Sequence, residues 1–323
     1  MMMQQKMDSA LVYLNKFKRL RRDTSHGEPA PHKPILLISI LEHIGKNTIQ
    51  TNKIYITPEL IATFRENWSL LASTTRHKPN FILPYSYLRG DKFWHIVARR
   101  GFQAILDKSK LRTFSEAEEI VEYACFDKEL YELLQKSSTR QEFLQNLLIT
   151  YFPESQNRFW DKTSDNTYLM DVENKVLHNT QQNYRAEYEQ LPDEERFVRK
   201  GVFKKVVPRL YGYSCCISEL KIDSLFDIAM VDACHIVPFS SSFDDTIKNG
   251  ISLCPNLHRA FDRGMITIDQ NYKVVISKTF VENLNVYGIR QFEGKTIRLP
   301  NDSQFYPSLD NLAWHQQNIF KKS

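Results

Sequence analysis

The sequence lacks any apolar run of the roughly 18–20 residues that a helix needs to cross a bilayer. Its first residues, MMMQQKMDSA, contain no apolar core of a secretory signal. Cysteine is scarce, and the odd count of five argues against a disulfide-stapled scaffold. Internal repeats and low-complexity tracts are also missing. We therefore expect a globular protein of a reducing cytoplasm, with no membrane partner.

The composition is that of an ordinary globular chain. Of its 323 residues, 42% are hydrophobic and 25% are charged, which is enough for two domains with cores. The formal net charge is +5, and the pI lies near 8.8. This modest basic excess permits binding to nucleic acid without establishing it.

Helical periodicity dominates the first half of the chain. LVYLNKFKRLRR carries apolar residues at helical spacing with basic residues between them. Thr57 followed by Pro58 predicts a capped helix start, and NKIYI and KFWHIVA predict short strands. Residues 156–195 are polar and weakly periodic, which indicates a linker. The predicted class is α+β, with a mainly helical N-terminal domain containing a small sheet at 1–155 and a second domain at 196–323.

An ordered set of polar residues stands out in the C-terminal half. His235 precedes Ile-Val-Pro, Asn249 opens Asn-Gly-x-x-Leu-Cys, and His258 opens His-Arg-x-Phe-Asp-x-Gly-x-Ile. Hydrolysing a phosphodiester requires a base for water, a divalent cation and a group that holds the base. Histidine suits the base, and the apolar run Ile228–Val231 predicts a strand that presents His235 at a surface. Asn249 holds either the imidazole or its supporting loop, and His258, in a first helical turn, suits a metal.

This ordered set resembles the HNH endonuclease family, in the subgroup of bacterial restriction-type enzymes. The resemblance extends over residues 196–323 and includes YGYSCCISEL and FYPSLDNLAWHQQNIF. It implies the ββα-metal fold, in which two strands and a helix surround a metal. It further implies that His235 is the general base, Asn249 the orienting catalytic residue and His258 a catalytic metal ligand. The expected cofactor is a divalent ion, Mg²⁺ or Mn²⁺.

The residue before the base departs from the family pattern. Many HNH enzymes have Asp or His there as a second metal ligand, whereas this chain has Cys234, a soft donor poorly matched to Mg²⁺. Asp232 or Asp262 then supplies the hard oxygen, and the sequence does not choose between them. Alternatively, Cys234 points into the core, and His258, water and phosphate hold the metal.

The cysteines also differ from those of HNH domains that bind a structural zinc through two CxxC pairs. The first pair is reduced to Cys215-Cys216, and Cys254 of the second has no partner. Together with Cys234, these four side chains can in principle meet at one zinc. We interpret them as buried free thiols, so a structural zinc is not expected.

Basic and aromatic residues are interleaved in RHKPNFILPYSYLRGDKFWHIV, in the N-terminal half. Such interleaving suits phosphate contact beside an apolar surface, although a core hairpin with surface cations has the same composition. With APHKPILLISIL and a Pro-aromatic-x-x-Leu segment ahead of Phe-Trp, the region resembles the sulfur-binding domain of phosphorothioate-dependent restriction enzymes. The residues assigned to modified DNA are Arg76, His77, Pro84, Tyr85 and Arg89.

Two features of this recognition region stay open. His32 and Lys33 either contact the DNA as well or cap and brace the helix that follows them. Leu83 stands where an aromatic residue is expected before the proline, which changes the shape of the pocket wall. Sulfur is larger and less strongly hydrated than oxygen, so a small apolar pocket rimmed by cations can prefer it.

Both resemblances together predict a modification-dependent restriction endonuclease whose partner is double-stranded DNA carrying phosphorothioate. One alternative is an HNH nuclease whose N-terminal domain reads a modified base or another phage feature. The other is a DNA-binding protein whose HNH site is inactive because of Cys234. A double-strand break normally needs two HNH sites, so a homodimer, or transient pairing on DNA, is a further hypothesis.

Overall fold

The structure, a computed structural model, describes residues 2–25, 27–108, 111–162, 166–222, 230–283 and 288–321, with side chains from residue 9 onward. It divides into two compact units, Met1–Met170 and Asp171–Ser323. Helices and small antiparallel sheets of two strands build the described chain, so the predicted α+β class is confirmed. In this part of the chain, no helix is both long and apolar enough to span a bilayer.

The first unit is mainly helical. Its helices are α1 Met2–Lys18, α2 His32–Gly45, α3 Pro58–Leu71, α4 Ile82–Tyr87, α5 Gln103–Lys108, α6 Phe114–Ile120, α7 Lys128–Gln135, α8 Ser137–Tyr151 and α9 Gln156–Trp160. Its two strands, β1 Trp94–Ala98 and β2 Val121–Phe126, pair antiparallel. Helix α2 lies at the centre, because it is apolar and buried almost all round.

Local sequence signals account for parts of this unit. The Thr57 hydroxyl accepts a hydrogen bond from the Leu60 amide at the start of α3, and Pro58 takes the first helical position. The KFWHIVA segment forms β1. NKIYI contributes a single bridge, from Ile54 to Ala124 of β2, rather than a full strand.

The second unit holds two strands and a helix packed against a longer helix. Helix α10, Thr167–His178, crosses the division between the units. The elements after it are α11 Gln181–Glu189, α12 Asp193–Leu210, β3 Asp232–His235, α13 Phe239–Ser242, β4 Gly250–Leu253, α14 Pro255–Asp262, β5 Ile266–Ile268, β6 Val274–Ile276 and α15 Leu309–Asn318. Strands β3 and β4 pair antiparallel, and α14 follows β4 directly, which is the expected ββα order.

Two glycines of the ordered motif are required by close packing. A Cβ on Gly250 would lie 2.6 Å from Val207 and 2.9 Å from Phe203, so α12 can approach β4 only with glycine there. Gly264 has a positive φ of 69°, and a Cβ would lie 2.0 Å from the Ile319 carbonyl oxygen. The Asn-Gly pair is therefore a packing feature and not only a turn.

The structure bears on the predicted linker and on the apolar run predicted before His235. Residues 156–195, interpreted as a linker, contain α9, α10 and α11, and the division between units falls at residue 170. The domain boundaries 1–155 and 196–323 stay a prediction. Of the apolar run predicted to lead into His235, residues 228 and 229 lie outside the described residues, while the strand itself is β3.

Candidate functional site

His235 is the last residue of β3, and its ring is held between an aromatic side chain and a carboxylate. The imidazole stacks on Phe203 of α12, with ring centroids 4.2 Å apart and 9° between the planes. Its Nε2 lies 2.7 Å from Oδ1 of Asp245. The His235 side chain is 21% exposed, whereas that of Asp245 is fully buried. The ring is thus fixed in orientation yet reachable from solvent, as a general base must be.

Asn249 holds the loop between β3 and β4. Its Oδ1 accepts from the Val237 amide at 2.8 Å, and its Nδ2 donates to the carbonyl oxygens of Val237 at 2.9 Å and Asp244 at 3.0 Å. The side chain is fully buried. Of the two roles that the sequence left open, these bonds favour support of the loop over direct contact with the imidazole.

The predicted metal-binding side chains converge where β3 meets α14. The Nδ1 of His258 is 3.3 Å from Oδ2 of Asp232. Its Nε2 is 3.5 Å from Oδ2 of Asp262, one turn further along α14. Donor atoms of Cys234, His258 and Asp262 all lie within 4.8 Å of one another. Imidazole nitrogen and carboxylate oxygen suit divalent ions, so this donor set fits the expected cofactor.

Cys234 takes part in this cluster from the core side. Its side chain is fully buried, and its Sγ–H donates to Oδ1 of Asp262 at 3.8 Å and to the His235 carbonyl oxygen at 3.6 Å. Burial, followed by the nearby Asp262 carboxylate, raises the pKa of the Cys234 thiol well above its ordinary value. Cys234 therefore carries a proton at neutral pH and can orient Asp262 as a hydrogen-bond donor.

The other cysteines of this unit are divided between two environments. The Cys215 and Cys254 side chains hydrogen-bond to each other, and this bond lowers the pKa of Cys215 below its ordinary value. Burial raises the pKa of Cys216 well above its ordinary value. Ser218 contacts Cys215 of the Cys215–Cys254 pair, because its amide donates to Cys215 Sγ at 3.5 Å. Cys234 is thus the cysteine that reaches the predicted metal site among the described residues.

A cavity of about 1000 Å³ lies in the first unit, in the predicted recognition region. Five predicted residues line it, namely His32, Lys33, Arg76, His77 and Pro84. Further lining residues include Arg21, Arg22, Lys78, Asn80, Leu83 and Tyr87. The wall therefore combines several cations with the apolar side chains that follow Asn80.

Two buried histidines of the cavity wall bond to backbone carbonyl groups. The Nε2 of His32 donates to the Lys78 carbonyl oxygen at 2.9 Å, and the Nε2 of His77 donates to the Glu28 carbonyl oxygen at 3.0 Å. Their ring centroids are 5.7 Å apart in an edge-to-face arrangement. Burial lowers the pKa of His32, so its ring is neutral at physiological pH. The fixed rings brace the cavity wall.

Lys33 is paired inside the protein. Its Nζ lies 2.6 Å from Oδ2 of Asp91, and both side chains are largely buried. The same carboxylate accepts from the Arg21 amide at 2.9 Å. Lys33, in the first turn of α2, is thus linked through Asp91 to the segment after α1, and its contact with DNA stays a prediction. Its charge is balanced by Asp91 before any DNA arrives.

Two predicted recognition residues do not line the cavity. Tyr85 is 0% exposed, and its hydroxyl donates to the Ile54 carbonyl oxygen at 2.7 Å, because this side of α4 faces the core. Arg89 donates from Nε to the Ser86 carbonyl oxygen at 3.3 Å and from Nη1 to that of Leu106 at 3.2 Å. In this structure both side chains therefore support the fold, and their contact with DNA stays a prediction.

Sequence reasoning missed several residues that geometry brings to the two sites. Asp245 contacts the predicted base, and its only signal is the acidic pair Asp244-Asp245, nine and ten residues after His235. Arg21 and Arg22 line the cavity, and their signal is the basic end of LVYLNKFKRLRR. Tyr87 lines the cavity from the end of α4. The sequence did not show whether Tyr85 or Tyr87 faces the cavity.

Comparison with known proteins gives two family matches and two similar structures. Residues 215–269 match the HNH endonuclease family, and residues 11–162 match the ScoMcrA-like DNA sulfur-binding domain. A search of curated proteins found no match. A modification-dependent TagI restriction endonuclease shares 22% identity over 36% of this chain and 37% of its own, with a TM-score of 0.28. The type IV phosphorothioation-dependent restriction endonuclease ScoMcrA shares 10% identity over 77% of this chain and 94% of its own, with a TM-score of 0.30.

The alignment spans little more than a third of the TagI chain. The two family matches fall in different units, one containing the cation-lined cavity and the other containing His235, Asn249 and His258. The chain therefore contains a segment similar to HNH endonucleases and a segment similar to the ScoMcrA-like DNA sulfur-binding domain.

Proposed function

We propose that this chain is a modification-dependent restriction endonuclease. The first unit binds DNA that carries phosphorothioate, and the HNH site hydrolyses the backbone with a divalent metal ion. The observation that carries this proposal is the cavity within the sulfur-binding match, whose wall combines cations with the apolar Leu83 and Pro84. The HNH match on the same chain supplies the reaction.

The cavity is suited to sulfur because part of its wall is apolar and offers no hydrogen-bond donor to an oxygen placed against it. The Nε2–H groups of His32 and His77 are already given to backbone carbonyl groups. A phosphate oxygen placed against Leu83 and Pro84 loses strong hydration without replacement, whereas sulfur has less hydration to lose. Arg76, exposed at the cavity, attracts the negative charge of either linkage. We infer that the preference for sulfur comes from the apolar wall and that overall affinity comes from the cations.

At the HNH site, His235 acts as the general base toward water. Its exposed edge can accept a proton, and stacking on Phe203 keeps the ring in one plane. Asn249 keeps the loop after β3 in place through its three hydrogen bonds to backbone groups. The base is therefore positioned before DNA arrives, which avoids an ordering cost during the reaction.

His258, with Asp232 or Asp262, would hold the metal ion. A divalent ion bound there supplies charge neutralisation at the scissile phosphate and the leaving oxygen. Cys234 lies on the core side of these residues and donates a hydrogen bond to Oδ1 of Asp262. The second oxygen of that carboxylate, Oδ2, then faces His258. We assign Cys234 a supporting role and expect Mg²⁺ or Mn²⁺ as the ion.

The test is a cleavage assay on two plasmids of identical sequence, one with phosphorothioate linkages and one without, in the presence of Mg²⁺ or Mn²⁺. The wild-type chain is expected to cut only the sulfur-bearing plasmid, and His235→Ala is expected to cut neither. Linear product would indicate paired HNH sites on DNA, and nicked product would indicate a single site.

Other results would redirect the proposal. Equal cutting of both plasmids would keep the nuclease and refute phosphorothioate recognition, and matched oligonucleotides with modified bases would then be compared in binding assays. DNA binding without cutting, also with Co²⁺ and Ni²⁺, would refute the nuclease function. The cysteine at position 234 is the feature that makes this second outcome worth testing.

A further inference from the structure

Asp245 is the one side chain that hydrogen-bonds to the imidazole of His235 among the described contacts. It lies in the loop after β3, ten residues beyond the base, and is fully buried. Its Oδ1 is 2.7 Å from His235 Nε2. The loop that carries it is held by Asn249 through the carbonyl group of Asp244. The loop bonds and the imidazole bond are thus made by different residues.

The burial of the Asp245 carboxylate costs folding stability, so a functional role would explain why a carboxylate occupies this position. Its second oxygen, Oδ2, is buried without a hydrogen-bond partner among the described residues. A buried carboxylate with one oxygen unsatisfied costs stability, because it loses hydration on both oxygens and regains one bond. A loop that served packing alone would gain from an apolar residue at this position. Asp244 Oδ2 and Thr246 Oγ1 are buried without such a partner as well, and within this loop Asp245 is the residue that contacts the predicted base.

The contact determines which nitrogen of the neutral ring carries the proton. An ionised carboxylate only accepts hydrogen bonds, so the Nε2 of His235 must donate. The remaining nitrogen, Nδ1, then holds the lone pair that can take a proton from water. Phe203 stacks at 4.2 Å on one face of the ring, and Phe239 lies 5.7 Å away, so rotation of the ring is restricted. After proton transfer, the same carboxylate stabilises the imidazolium that forms.

We propose that Asp245 is the positioning residue of the base: it holds His235 in the Nε2–H tautomer with Nδ1 directed to the nucleophilic water. This inference rests on the proposed role of His235 as the general base. It separates two tasks in the loop, because Asn249 orders the backbone and Asp245 selects the reactive nitrogen. The chemistry resembles a carboxylate–imidazole pair of hydrolases in general, with water in place of a nucleophilic side chain.

The direct test is heteronuclear NMR of the histidine ring nitrogens in the full chain without DNA, at mildly alkaline pH. His235→Ala assigns the signals by their loss. The wild-type spectrum is expected to show the Nε2–H tautomer for His235, and Asp245→Asn, whose amide can donate as well as accept, is expected to lose this preference. A wild-type ring in the Nδ1–H tautomer overturns the proposal without the need for any variant.

Kinetics add a second readout with a matched control. Asp244→Asn makes the same change at the adjacent buried carboxylate, which accepts from the Thr246 amide rather than from His235. Single-turnover cutting by Asp245→Asn is expected to fall about 100-fold or more, with DNA affinity unchanged, while Asp244→Asn cuts at nearly the wild-type rate. Equal rates for Asp245→Asn and wild type would overturn the proposal. If His235→Ala itself still cuts, the base assignment fails instead, and the tautomer result is read separately.

Discussion

The cavity of the first unit and the HNH site of the second both use pairs of histidines, but their partners differ in kind. His32 and His77 donate to backbone carbonyl oxygens. His235 and His258 face carboxylates, at 2.7 Å and 3.3 Å. A carbonyl group fixes the orientation and tautomer of a neutral ring, whereas a carboxylate also stabilises an imidazolium. The difference agrees with the proposed roles, in which one pair shapes a binding wall and the other pair handles protons and metal.

The two sites also differ in the sign of their exposed charge. Arg21, Arg76 and Lys78 are exposed at the cavity, while the Asp232 and Asp262 side chains are more than half exposed at the HNH site. The cavity can attract the DNA backbone directly. The HNH site repels it until a cation is bound, which makes the proposed metal a condition for contact with phosphate as well as for reaction.

The largest expected effect comes from removing the proposed metal ligand. His258→Ala leaves Asp232 and Asp262 without the nitrogen donor between them, so Mn²⁺ affinity measured by calorimetry should fall about 100-fold or more, with cutting lost in parallel. His95→Ala is the control, because it also removes a histidine paired with a carboxylate, 2.7 Å from Asp127, in the other unit. Unchanged Mn²⁺ affinity in His258→Ala would show that the ion binds elsewhere.

A second prediction concerns a histidine of the HNH unit that meets no carboxylate among the described residues. His315 is 1% exposed, stacks on Phe261 at 3.7 Å and donates to its carbonyl oxygen. Burial lowers its pKa to about 4, below the ordinary ~6.5 of the unfolded chain. The unfolded chain therefore binds the proton first, and stability is lost as pH falls from about 6.5 to about 4. The expected loss is about 3 kcal/mol.

Denaturant unfolding at several pH values checks this figure. His315→Gln removes the titrating group, so the stability of wild type relative to the variant should decline across that window and stay constant above it. A difference that does not vary with pH would mean that the pKa of His315 is the same in the folded and the unfolded chain.

The ordered HNH motif was predictable because its parts are close in sequence. Antiparallel pairing of β3 with β4 places His235 opposite Gly250, and α14 starts two residues after β4 ends. Local rules of this kind also located the cap at Thr57. A resemblance carried by three short segments was therefore sufficient to place His235, Asn249 and His258 in one region, while their roles stay predictions.

Features that depend on packing between distant segments were not predictable. Asp245 reads as a solvated loop residue until α12 brings Phe203 against the base and closes the site. Tyr85 and Tyr87 are two residues apart on α4, and only the packing of α4 shows that the first faces the core and the second the cavity. Cys215 and Cys254 meet although they are far apart in the chain.

A third prediction tests whether the Cys234 thiol orients the Asp262 carboxylate or binds the metal ion itself. If Cys234 orients Asp262 without binding the ion, Cys234→Ser keeps a donor and should retain Mn²⁺ affinity, whereas Cys234→Ala should lose about 10-fold. The Co²⁺-loaded wild type should then show no thiolate-to-cobalt absorption band. Such a band, lost in Cys234→Ser, would place the sulfur in the coordination sphere and contradict the supporting role.

The smallest expected effect is on DNA binding, and it distinguishes the exposed Arg76 of the cavity from Lys33, which is paired with Asp91. Arg76→Ala should weaken binding to both modified and unmodified DNA about 10-fold and reduce the salt dependence of binding by about one released counterion. Lys33→Met should leave the salt dependence unchanged, because Asp91 already balances that charge, and should instead lower the thermal stability of the chain. Fluorescence anisotropy over a series of salt concentrations measures both variants. A reduced salt dependence in Lys33→Met would show that DNA breaks the Lys33–Asp91 ion pair. Lys33 would then contact the phosphate backbone instead of bracing the cavity wall.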